Sequence, residues 1–62
     1  MKPVVKYNAS MSVFDVVMLA KETMILLNQK DACMQMSLKI LKARTFDEVL
    51  DAVRQYCNLV KE

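Results

Sequence analysis

Chemistry in a chain of 62 residues must come from a short list of side chains. The thiols are Cys33 and Cys57, and Asp47 and Asp51 are carboxylates one helical turn apart. The cations gather at Lys39, Lys42 and Arg44, with Lys30 upstream. The cysteines stand 24 positions apart, which fits neither a zinc knuckle nor a C-x-x-C redox motif. Neither thiol has a general base nearby in sequence. Two readings remain for them, a redox-sensitive bridge between two helices or a pair of small buried hydrophobes, and the second is favoured. Asp47 and Asp51 read as helix-surface groups rather than an acid/base pair. With no histidine there is no imidazole for a triad, a metal ligand or a pH switch. With no glycine there is no phosphate-cradling loop. The inventory predicts a non-catalytic protein with no cofactor and no metal.

The cations invite a nucleic-acid reading. Residues 1–44 carry seven basic and three acidic groups, and residues 45–62 carry two and four. That makes +4 against −2, a small asymmetry, and neither tyrosine is embedded in the basic cluster. A helix-turn-helix at Ala43-Arg44-Thr45 would present Asp47 and Glu48 at the start of its recognition helix, where they repel phosphates. Nucleic-acid binding is therefore not expected.

The elements that position these groups are helical. Pro3 is the only proline, and nothing after it forbids a helix. Residues 1–11 read as an irregular or extended N-terminal arm, with strand-like Val4, Val5 and Tyr7. Residues 12–62 read as a single helical domain. Ser12 precedes Asp15 at capping-box spacing, so helix one is expected to start there, with Ser10 as an alternative cap. From it, Val13, Ala20, Leu27, Met34 and Leu41 recur every seven residues, and Val17, Met24, Asp31 and Leu38 follow four after each of the first four. This heptad seam keeps phase through Asn28-Gln29-Lys30-Asp31, which favours one continuous helix over 13–43. The alternative is a break near residue 30, with Asp31 as a new N-cap, giving a three-helix bundle. Asp31 itself reads either as that break or as a register device within the seam.

Lys39, Lys42 and Arg44 suit a helix C-terminus. Thr45-Phe46-Asp47-Glu48 then forms a T-x-x-E start signal for a second, amphipathic helix of about 16 residues. Its intramolecular face is Phe46, Val49, Leu50, Val53, Cys57 and Val60. The predicted class is all-α: a long helix plus a short amphipathic one, folded as a helical hairpin.

The apolar fraction is 55%, more than so small a core can hide. Phe14, Met18 and Ile25 flank the seam on one side, so helix one is apolar well beyond the stripe expected of a surface helix. Met18, Met24, Met34 and Met36 read first as core filling, and second as an adaptable binding surface. A partner face is expected at Val13, Phe14, Val17, Met18, Ala20, Met24, Ile25, Leu27, Met34, Leu38 and Leu41. The simplest occupant is a second copy, giving an antiparallel dimer and a four-helix bundle. The stretch from Val13 to Leu27 contains Asp15, Lys21 and Glu22 and is too short to span a bilayer. The N-terminus has no apolar signal region, so a cytoplasmic location with reduced thiols is expected.

The stretch from Phe14 to Lys61 resembles the phasins, small helical proteins that coat polyhydroxyalkanoate storage granules in bacteria. The resemblance lies in the long glycine-free helix, the Ala-Arg-Thr-Phe-Asp-Glu-Val junction at 43–49, and an amphipathic helix ending near Tyr56. The chain is shorter than typical phasins and richer in Met and Val. The resemblance implies a non-catalytic, oligomeric, surface-active protein that lays an apolar helical face on a hydrophobic surface. That surface is a storage granule, a lipid layer or a protein groove. The runner-up reading is a small dimeric protein that binds and modulates another protein.

Overall fold

Three helices are strung between two short strands in the computed structural model, which describes residues 2–62. The order is β1 (Val4–Tyr7), α1 (Val13–Leu26), α2 (Lys30–Lys42), α3 (Phe46–Tyr56) and β2 (Asn58–Lys61). The molecule is mainly helical but not all-α.

α1 starts where its capping chemistry places it. The Ser12 hydroxyl accepts from the Asp15 N–H at 3.2 Å, and the Ser12 N–H donates to the Asp15 carboxylate at 3.0 Å. Both halves of the capping box form, despite the shorter Asp.

The continuous helix over 13–43 does not occur. α1 stops at Leu26, and Asn28 takes a left-handed φ of 59°. The Asn28 N–H donates to the Ile25 carbonyl at 3.1 Å, and the Gln29 N–H to the Met24 carbonyl at 2.8 Å. Those are the two bonds of a Schellman stop, with Asn in the place glycine usually fills. Absence of glycine therefore did not mean absence of a helix stop. The next helix is not capped by Asp31. Gln29 holds the N-cap position, and its carbonyl accepts from the Cys33 N–H at 2.9 Å. Asp31 lies in the first turn of α2, where its charge complements the helix dipole.

The stop also ends the heptad phase. Val17, Ala20 and Met24 turn inward on α1, but α2 buries Cys33 and Met36, leaving Met34, Leu38 and Leu41 in solvent. A single left-handed residue rotates the following helix, so a period preserved in sequence is not preserved in space.

α3 begins at the predicted signal. The Glu48 N–H donates to the Thr45 hydroxyl at 3.2 Å. The Glu48 carboxylate, however, accepts from the Arg44 N–H at 2.6 Å, one residue before the N-cap. α3 ends at Tyr56, five residues short of the expected length, because Cys57 turns extended and Asn58–Lys61 pair as a strand. Cys57 and Val60 are thus not on the helix: Cys57 is its buried C-cap and Val60 an exposed strand residue.

The N-terminal arm supplies the partner strand. β1 and β2 run parallel, with Val4 opposite Asn58 and Tyr7 opposite Lys61. The Asn58 N–H donates to the Pro3 carbonyl at 2.8 Å and the Glu62 N–H to the Tyr7 carbonyl at 2.7 Å, closing the pair at both ends. Parallel strands need a long crossover, and here all three helices form it. Of the two readings of the arm, residues 4–7 take the extended one rather than the irregular one, and Val5 is fully buried under α1. Met1 of the arm lies outside the described residues.

The core is one cluster: Val5, Val17, Ala20, Met24, Cys33, Met36, Val53 and Cys57. Met24 and Met36 are fully buried, as the core-filling reading expects, but Met18 and Met34 face outward on α1 and α2 and do not fill the core.

Candidate interaction surface

The radius of gyration is 10.6 Å, matching the ~10.6 Å expected of a compact chain of this length. The accessible surface is nonetheless 4546 Å², against roughly 4,100 Å² for a compact monomer of 7.1 kDa. The fold is closed, and the apolar excess sits on its outside.

That excess converges where three helix ends meet. The N-terminal turn of α1 brings Val13, Phe14 and Val17 to one side. The end of α2 supplies Ile40 and Leu41, and the start of α3 supplies Phe46 and Val49. Together with Ala43, Arg44 and Thr45 of the turn they line an open groove of about 610 Å³. Phe14 and Phe46 stand edge to face across it, their centroids 6.3 Å apart and their planes at 83°. Phe14 is 69% exposed, Phe46 64% and Leu41 80%. The two rings alone present on the order of 250 Å² of aromatic surface to solvent. Arg44 is the only charged residue of the lining.

Two apolar stripes extend from this end. Phe14, Met18 and Ile25 run along the outside of α1, and Met34, Leu38 and Leu41 along the outside of α2, all exposed. At the far end of α1, Leu26 and Leu27 are exposed where the Schellman stop turns the chain.

The expected partner face is therefore divided by the fold. Phe14, Met18, Ile25, Leu27, Met34, Leu38 and Leu41 are free for a partner. Val17, Ala20 and Met24 are not, because the protein's own core takes them, and Val13 is half-buried at the groove floor. The expected α3 face is corrected at its ends as well. Val53 is buried and Val49 and Leu50 are half-buried, but Phe46 turns outward into the groove. Nothing precedes Phe46 on its own helix to cover it. The pairing of Phe14 with Phe46 was not legible in sequence, since the two lie on different helices with no periodic relation.

Within the basic cluster, Lys39 is engaged by the fold itself. The Lys39 ammonium donates to the Gln55 side chain and lies 5.2 Å from the centre of the Tyr56 ring, so it fastens α2 to α3. Lys39 and Lys42 border a shallow depression of about 340 Å³ that Glu48 and Asp51 share. Arg54 pairs with Asp51 at 2.9 Å in solvent, an ion pair of small energetic value. Among the described residues, no group of three or more Cys, Asp or Glu is placed to hold a metal ion. Nor is any helix long and apolar enough to cross a membrane. No protein-family model, curated protein or solved structure matches this chain.

Proposed function

We propose that the protein is a non-catalytic interaction module that self-associates, as a dimer first, through the Phe14–Leu41–Phe46 end. In the same reading it lays this face on a hydrophobic surface in the manner of a phasin. The observation that carries the reading is the aromatic groove, open to solvent in a chain whose core is otherwise closed. Exposed apolar surface of this kind, concentrated rather than scattered, marks an association site. A two-fold pairing sets each patch against its own copy, so one surface serves both partners. A granule or lipid layer competes for the same residues, with the energetics of an interfacial helix.

Light scattering across a dilution series tests the reading. The expected result is a dimer at high concentration that dissociates on dilution and persists at high salt. Apolar contacts survive salt, whereas phosphate contacts do not. A monomer at every concentration that also fails to adsorb to hydrophobic particles overturns the proposal.

A further inference from the structure

Cys33 and Cys57 are both free, and both are buried in the one apolar cluster of the fold. The α2–α3 hairpin fixes how they stand to each other. Met36 on α2 and Val53 on α3 are fully buried in that cluster. One turn from Met36 toward the start of α2 is Cys33, and one turn from Val53 past the end of α3 is Cys57. In a helical hairpin both steps lead away from the connecting turn at 43–45, so the two thiols lie toward the same end of the hairpin within that cluster. Burial pushes the Cys57 thiol up from its ordinary range, Cys33 adds to the rise, and Lys2 pulls weakly the other way.

We propose that Cys33 and Cys57 form a redox pair, closing to an intramolecular disulfide under a peroxide and reopening with a thiol reductant. Cys33 is 8% exposed against 1% for Cys57, so it meets the oxidant first. Its thiolate attacks one peroxide oxygen and the O–O bond breaks. That oxygen stays on sulfur as a sulfenic acid, and the other leaves as hydroxide and takes up a proton to become water. Cys57 gives its proton to solvent and attacks the Cys33 sulfur, and the S–OH oxygen departs as a second water. Two thiols and one hydrogen peroxide thus become one disulfide and two waters. The bond ties the start of α2 to the junction of α3 and β2, and so holds the strand that pairs with β1. Because burial holds the Cys57 proton, closure accelerates as the solution is made alkaline.

The test treats the full chain, dilute and folded, with hydrogen peroxide and maps the thiols by mass spectrometry after alkylation. The expected product has lost two hydrogens and gained no oxygen. Neither cysteine is alkylated, one peptide joins residues 33 and 57, and the melting midpoint rises until dithiothreitol reverses it. In Cys57→Ser, Cys33 stops at a sulfenic acid that dimedone traps. Over-oxidised Cys33 beside a free Cys57 in the wild-type chain overturns the proposal, as do disulfides that join only separate chains. The wild-type map decides even where the serine variant fails to fold.

Discussion

A non-glycine residue in the left-handed region costs about 1–2 kcal/mol, and Asn is one of the few that visit it routinely. At φ 59°, Asn28 accepts that cost because its N–H and the next close the end of α1. Replacement separates the two possible chains sharply. Were residues 13–43 one helix, Asn28→Ala would add helix propensity and stabilise it. With the Schellman stop, Asn28→Ala loses about 1 kcal/mol and Asn28→Gly loses nothing or gains, read as shifts of the urea midpoint at unchanged slope. Cys57 makes a second residue-scale prediction. Its thiol is raised above the ordinary value of 9.0, so the folded state holds the proton more tightly than the unfolded chain. The corresponding stability is complete below pH 9.0 and is lost as pH rises toward the higher folded value. Urea titrations above that pH should show wild type falling faster than Cys57→Ala, which lacks the proton. Parallel slopes would remove the thiol from the account.

Two of the three helix starts were legible in this sequence, while the start of α2 at Gln29 and the stops of α1 and α3 were not. Ser12 with Asp15 and Thr45 with Glu48 are spacings that a short segment fixes by itself: the first box forms in both halves, while at the second Thr45 caps the Glu48 N–H and the Glu48 carboxylate takes the Arg44 N–H instead. Ser12→Ala or Thr45→Ala should each cost about 0.5–2 kcal/mol, measured by thermal or urea unfolding. A silent Ser12→Ala would mean that tertiary contacts alone hold the first turn. The stop at Asn28 is also local, but its signal is a residue that most often does something else. The terminal strands were hidden for another reason. Val4, Val5 and Tyr7 have strand character, but the partner strand lies beyond three helices, and Asn58–Lys61 continues the apolar period of α3. A helical stripe read from Phe46 to Val60 cannot reveal that the backbone extends at Cys57. The groove was half legible: Phe14 and Leu41 stood out as apolar residues in excess of any core, while Phe46 was assigned inward.

At the scale of the whole molecule the quantity to explain is an ordinary radius of gyration with an enlarged, apolar surface. A loosened fold would expand both, so the excess surface belongs to particular side chains. These are concentrated on the outer faces of α1 and α2 and at the groove. A core built from one small cluster supplies little stability, and scaffolds of this size are commonly completed by association. The division of the heptad seam makes this testable, because its inward and outward members should respond differently to the same substitution. Met24 is fully buried, so Met24→Asp places a charge in the core and should unfold the chain, abolishing helix and association together. Leu41 is mostly exposed, so Leu41→Asp leaves the core untouched and, in the proposed dimer, would set a like charge against its copy across the two-fold interface. The variant should keep the wild-type circular dichroism spectrum and run as a monomer at the concentrations where the proposed wild-type dimer forms, with Phe14→Asp behaving alike. If both outward variants remain dimeric, the copies meet through another face, with the open edges of the terminal sheet the next place to look. If they lose helix as well, the groove belongs to the core of an obligate dimer.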